Sequence, residues 1–270
     1  MIETTRFGPV TRFLMGRVFD GKPLYTMACY YVDGLLIDTG LHHIGEEIAE
    51  AFKGYTVDII VNTHHHEDHI GNNHLFQQLF DTGPALAHRL AVPLIINPDL
   101  WTGKLLSYQL IAWGVPLPSQ AAEIPSTVKT PNYTFRVLHT PGHSDDHICL
   151  IEDKEGWLFS GDLYISDTVN VMRSDENVPQ IIHTLEKLLH ESFDTIYCAS
   201  GNVVENGHAK LQAKYDYLVS VQQQVKELSS KGLKAEAIME KLFGKESGLS
   251  QISEGDMSRM NLVRSLMGSE

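Results

Sequence analysis

The sequence predicts an α/β layered domain carrying a C-terminal set of helices, and three observations carry that prediction. Short apolar runs alternate with amphipathic helical segments up to Ala199, the signature of sheets covered by helices. From His208 onward only helical periodicity remains. The 270 residues, 43% of them hydrophobic, suffice for a full core. The expected organisation is a layered domain over 1–207, with helices over 208–270 packed on it.

Leu24–Val32 and Leu35–Asp38 flank Asp33-Gly34, which reads as a β-hairpin. Ile44, Ile48 and Phe52 recur at helical spacing, predicting a helix over Leu41–Lys53. Val57–Val61 is a short continuous apolar run, as in a strand buried on both faces. Leu75–Phe80 reads as helix and Pro84–Ala87 as a short strand. Ala91–Pro118 lacks a clean period and reads as a helix-and-loop excursion whose Trp101, Tyr108 and Trp113 could wall a pocket. Tyr133–Leu138, His147–Ile151 and Trp157–Phe159 read as strands, the last two joined by the Asp153–Gly156 turn. Val178–His190 carries an apolar face of Ile181, Ile182, Leu185, Leu188 and Leu189 and predicts a helix. Phe193–Ala199 reads as a strand. Helices follow over Lys210–Leu228, Glu236–Phe243 and Met257–Met267, with Gly232 and Gly244 as stops.

Composition narrows the function. A net charge of −13 argues against a nucleic-acid binder that uses a broad basic face. Cys29, Cys149 and Cys198 are odd in number and far apart, so they suit a reducing cytosol better than a disulfide framework. Met1–Val10 has no apolar h-region, which predicts no signal peptide, and no run of about 18 apolar residues predicts a membrane span. The expected setting is cytoplasmic, with a small-molecule substrate and neither nucleic acid nor membrane as partner. The C-terminal helices could cap the sandwich or form a homodimer interface.

The unusual feature is histidine. The chain has 14, and they concentrate between Leu41 and Pro141, which holds nine of them. Directly after the strand Val57–Val61 comes Asn-Thr-His-His-His-Glu-Asp-His, holding His64, His66, Asp68 and His69 in an H-x-H-x-D-H array. Residues two apart on an extended segment point the same way, so His64 and His66 can reach one ion. After a turn, Asp68 and His69 can face a second position. Imidazole and carboxylate donors suit zinc, iron or manganese. One loop supplies too few ligands, and two later strand ends offer more. Pro141-Gly142-His143 follows one strand, and Ser160-Gly161-Asp162 ends another.

The order Leu36-Ile37-Asp38-Thr39-Gly40, then His64-x-His66-x-Asp68-His69, then Pro141-Gly142-His143, then Ser160-Gly161-Asp162 resembles the metallo-β-lactamase superfamily over about residues 24–215. The resemblance implies a four-layer αββα sandwich. It implies that His64, His66 and His143 hold a first metal, Asp68 and His69 a second, and that Asp162 bridges them. Asp38 would hydrogen-bond the histidine loop without binding metal. It further implies one or two ions, zinc first, with iron or manganese as alternatives.

The chain departs from that family at one place. A second-metal histidine usually follows the last strand, and the stretch here reads Cys198-Ala199-Ser200-Gly201-Asn202, with Ser200 at the expected position. Either the second position binds weakly or not at all, leaving His64, His66, His143 and Asp162 around one metal, or His208 reaches back. His65 should point away from the ligands, and His74 could support one of them. The other histidines carry no spacing signal.

The expected chemistry is hydrolysis of an ester, thioester, lactone, amide or phosphoester by metal-activated water. Asp68 would orient that water and move its proton. Tyr164 would donate to a carbonyl oxygen, and Arg173 would clamp an anionic group. The alternatives are a mononuclear iron oxidoreductase of the persulfide dioxygenase type, and a non-catalytic relative.

Overall fold

A computed structural model describes residues 1–268. Two mixed sheets stack face to face. The first has seven strands, in the spatial order Ile2–Phe7, Val10–Met15, Met27–Val32, Leu35–Ile37, Ile59–Val61, Ala85–Ala87 and Ala121–Glu123. The second has six: Thr127–Lys129, Thr134–His139, Ile148–Glu152, Trp157–Gly161, Thr195–Cys198 and Val203–Val204. The Asp33-Gly34 hairpin forms as expected, pairing Val32 with Leu35, and Asp33 and Gly34 both take positive φ.

Alternation along each strand builds the layers. On Ile148–Glu152, Ile148 and Leu150 face the first sheet, among Tyr30, Val32, Leu35 and Val61. Cys149 and Ile151 face the other way, onto Ile181, Leu185, Leu211 and Leu218. The outer face of the first sheet buries Phe13, Leu36 and Ile60 against Ile48, Phe52 and Phe76 of the helices beside it. The result is helix, sheet, sheet, helix, with sheets rather than helices at the centre. The three cysteines are buried and free.

The C-terminal helices Gly207–Ser230, Ala235–Phe243 and Arg259–Met267 cover the second sheet through Leu218, Val225, Ile238, Leu262 and Val263. The N-terminal hairpin Ile2–Phe7/Val10–Met15 carried no expectation from sequence. Its first strand alternates exposed with half-buried positions, so its apolar signal is weak. No helix among the described residues is long and apolar enough to cross a membrane.

Two main-chain hydrogen bonds join the layers. The main-chain N–H of Ile148 donates to the Thr63 carbonyl at 2.8 Å, and that of Ala28 donates to the Ala199 carbonyl at 2.6 Å. They tie the sheets together where the histidine loop leaves its strand.

A buried helix-side lysine gives a testable stability effect. Lys214 sits in the outer helical layer, 5% exposed, its ammonium donating to the Leu163 carbonyl at 2.5 Å. Burial lowers its pKa to about 8, from 10.5. Between those values the unfolded chain binds the proton and the folded chain does not, so stability rises with pH. Relative to Lys214→Met, the wild type is expected to gain roughly 1–3 kcal/mol as pH climbs through that window. Paired urea titrations at the two ends of the window measure it, and a pH-independent difference would refute it.

Candidate metal centre

The strand Ile59–Val61 delivers Asn62–His66 to the rim of the sandwich, and Glu67–Ile70 then form one helical turn. His64, His66, Asp68 and His69 are all buried. His143 arrives on the loop after Thr134–His139, and Asp162 directly after Trp157–Gly161. Gly161 has φ +49°, and a Cβ there would stand 2.5 Å from His147 Nε2. Only glycine lets Asp162 enter the centre so closely.

Three ring nitrogens face one another. His66 Nδ1 lies 3.0 Å from His64 Nε2 and 3.1 Å from His143 Nε2. Their outer hydrogen bonds fix which nitrogens carry lone pairs. The Thr63 hydroxyl donates to Asp38 Oδ2 at 2.8 Å, so Thr63 Oγ1 can accept from His64 Nδ1 at 3.1 Å. His143 Nδ1 donates to Glu176 Oε1 at 2.5 Å. Both Nε2 atoms therefore point lone pairs inward, an arrangement that a cation relieves. Burial, followed by the neighbouring imidazoles for His64 and by Arg173 for His66, holds both rings well below the usual histidine pKa, in the neutral form a metal needs.

A second group shares His64. His64, His69 and Asp162 bring ligand atoms within 4.8 Å of one another, as do His64, His66 and His143. His69 Nδ1 donates to Asp38 Oδ2 at 2.8 Å, which leaves Nε2 buried without a hydrogen-bond partner. That nitrogen stands 3.5 Å from Asp162 Oδ1 and 3.9 Å from Asp68 Oδ1. An orphaned, inward-facing imidazole nitrogen between two carboxylates fits a divalent cation. Burial alone would raise Asp162, but the neighbouring His69 and His143 rings outweigh it and hold the carboxyl well below its ordinary range. Asp68 goes the other way, pushed up by burial.

Asp38 makes the hydrogen bonds expected of it, accepting from Thr63 N at 2.8 Å, the Thr63 hydroxyl and His69. His65 points away as expected, bonded to Asp146 at 3.1 Å and packed on Trp101.

Several expectations need correcting. His208 does not reach back. It is bonded to the Leu189 carbonyl at 2.8 Å and packs on Phe193, because its helix starts on the outer face. His74 supports no ligand and is bonded instead to Gln78 at 2.9 Å on the surface. The Tyr164 hydroxyl is taken by Asp167, and its ring is part of the helical-side core, so it is not free for a substrate carbonyl. Ser200 Oγ sits 3.1 Å from Cys198 Sγ.

The sequence reading missed Glu176 and His147. Glu176 orients His143 from 33 residues away, a separation with no spacing signal. His147 accepts the Asp162 main-chain N–H at 3.2 Å through Nε2, while Nδ1 faces Thr140 Oγ1 at 2.8 Å. Its place four residues after His143 was the available clue.

The profile of the metallo-beta-lactamase superfamily matches residues 28–196. The chain belongs to that superfamily. Its relatives in sequence include an "uncharacterized protein" of Aquifex aeolicus, 36% identical over 51% of this chain and 62% of that protein. An atrochrysone carboxyl ACP thioesterase of Passalora fulva is 27% identical over 57% of this chain and 39% of that protein. The chain thus spans less than two thirds of the length of these relatives. Among solved structures, a beta-lactamase domain protein from Burkholderia ambifaria superposes with a TM-score of 0.72 at 18% identity, covering 98% of this chain and 88% of that one. That likeness supports the superfamily's αββα fold.

Proposed function

We propose that this superfamily member is a metal-dependent hydrolase of acyl bonds, esters and thioesters foremost, acting on a small molecule with zinc as the resident ion. The single observation that carries the reading is the convergence of three separate chain segments, through His64, His66, His143, His69 and Asp162, into two donor groups that share His64. Members with thioesterase names among the relatives support an acyl substrate. Nitrogen and carboxylate donors suit zinc.

His64, His66 and His143 would hold one cation, and His69, Asp162 and Asp68 would serve a second position. A divalent cation there would supply Lewis acidity, lowering the pKa of solvent and stabilising negative charge on an acyl oxygen. Asp68 is the proton-handling group: its buried carboxyl, raised by desolvation, can take a proton from solvent and return it to the leaving oxygen or sulfur. Glu176 holds the His143 ring, and Asp38 holds the His69 ring, so that their free nitrogens stay turned inward. Trp113, buried beside Tyr25 and Tyr108, packs in the core of the first sheet's helical side.

The test is a panel of p-nitrophenyl esters, thioesters, lactones and phosphoesters, assayed on zinc-loaded protein with and without chelator. Acyl hydrolysis that chelator abolishes is the expected result. Inactivity of zinc-loaded protein across the panel would defeat the proposal. One observation favours a mononuclear iron oxidoreductase instead, namely Ser200 in place of a seventh ligand-type side chain, serine being a poor partner for such ions. Iron retained at one per chain, with oxygen uptake, would decide for it.

A further inference from the structure

The C-terminal segment reaches round to the metal centre. Met172 and Ser258 exchange main-chain hydrogen bonds, N to O, at 3.1 and 3.0 Å. Asp256, 9% exposed, accepts from the Tyr108 hydroxyl at 2.6 Å, the Ser174 hydroxyl at 2.5 Å and the Ser174 main-chain N–H at 3.2 Å. One carboxylate, from the turn before the last helix, therefore joins the aromatic excursion to the loop that follows Asp162. It lies outside the 28–196 stretch matched by the superfamily profile.

Arg173 lies inside that closure. Its side chain is only 13% exposed, yet Nε is buried with no hydrogen-bond partner among the described residues. Asp175 and Asp256 stand 3.6 Å from it, beyond hydrogen-bonding distance. Asp256 is already engaged by Tyr108 and Ser174, while Glu67, the carboxylate whose charge acts most on Arg173, has Oε1 held by Gln109 at 2.6 Å and Oε2 without a hydrogen-bond partner. These carboxylates keep the guanidinium charged and fixed, but they do not satisfy it. A buried Nε–H without an acceptor at hydrogen-bonding distance is costly, and a planar anion is a guanidinium's natural partner. The residue also stands next to the ligands. Its main-chain N–H donates to Glu176 Oε2 at 2.9 Å, and the other oxygen of that carboxylate holds His143.

We propose that Arg173, positioned by Asp256 of the C-terminal segment, recognises a carboxylate on the substrate, which makes acid-bearing acyl compounds the substrate class. The proposal rests on the hydrolase reading above. The metal centre takes the acyl end, and Arg173 takes the distal carboxylate as a bidentate pair. Lysine could not reproduce that geometry, being a point charge. Asp256 is a positioning residue, since it acts through Arg173, Tyr108 and Ser174.

Calorimetry on zinc-loaded protein tests this with linear dicarboxylates from glutarate to suberate against monocarboxylates of matched length, with the zinc content of each sample measured alongside. The wild type is expected to prefer the best dicarboxylate by at least about tenfold. Arg173→Met should remove the preference, Arg173→Lys should keep part of it, and Asp256→Asn should weaken it at unchanged zinc content. Zinc-loaded wild type without a preference, or Arg173→Met that keeps it, overturns the subsite while leaving the hydrolase reading standing. Wild type that takes up no zinc overturns the hydrolase reading and the subsite with it.

Discussion

Replacing His66 by alanine is expected to empty the first metal position and lower kcat/KM for the best acyl substrate by at least about a thousandfold. His66 Nδ1 is the nitrogen that both neighbouring imidazoles face, at 3.0 and 3.1 Å. Without it, two nitrogens remain from a three-nitrogen set, and that side of the site opens. His66 is a cleaner target than His64 or His69. Those rings also bond to Thr63 and Asp38, so removing either would disturb the support network as well as the ligand set. Metal content by elemental analysis, read beside activity and circular dichroism, checks the prediction. A folded His66→Ala protein that keeps full turnover after losing its metal would falsify the mechanism.

The second large effect is expected at Asp38, which binds no metal. Its carboxylate accepts three buried hydrogen bonds, each at 2.8 Å, from Thr63 N, the Thr63 hydroxyl and His69 Nδ1. It does so from a backbone with φ +60°, a conformation that aspartate and asparagine tolerate better than most residues. Asp38→Ala leaves three buried donors unpaired and strains the backbone. The expected loss is roughly 3–5 kcal/mol in the metal-free protein. A further tenfold to hundredfold loss of metal affinity is expected, on the order seen when a support to a ligand is removed. Asp38→Asn keeps the backbone preference and one acceptor oxygen, so it should fall between. Urea denaturation of chelated protein isolates the folding term from metal linkage. An unchanged midpoint in Asp38→Ala would show that the network is ornamental to stability.

Much of this was legible before any coordinates. The H-x-H-x-D-H array is local, and its period-2 spacing carries its geometry, so His64 and His66 face one point. Pro141-Gly142-His143 and Ser160-Gly161-Asp162 lie at strand ends, where position in a layered fold can be anticipated. The apolar periodicities of 57–61 and 178–190 were long or pure enough to identify a strand and a helix. The N-terminal hairpin was not legible, because a half-exposed edge strand dilutes its own alternation.

What the chain declares by itself is whatever is written in neighbouring residues: the donor types, their spacing, the strands that deliver them and the superfamily they mark. What only the tertiary structure decided is which distant side chains complete them. Glu176 behind His143, Asp256 beside Arg173 and His208 turned to Leu189 all follow from how helices pack on the second sheet. Packing is non-directional and sums many weak contacts, so no short stretch of sequence encodes those partnerships.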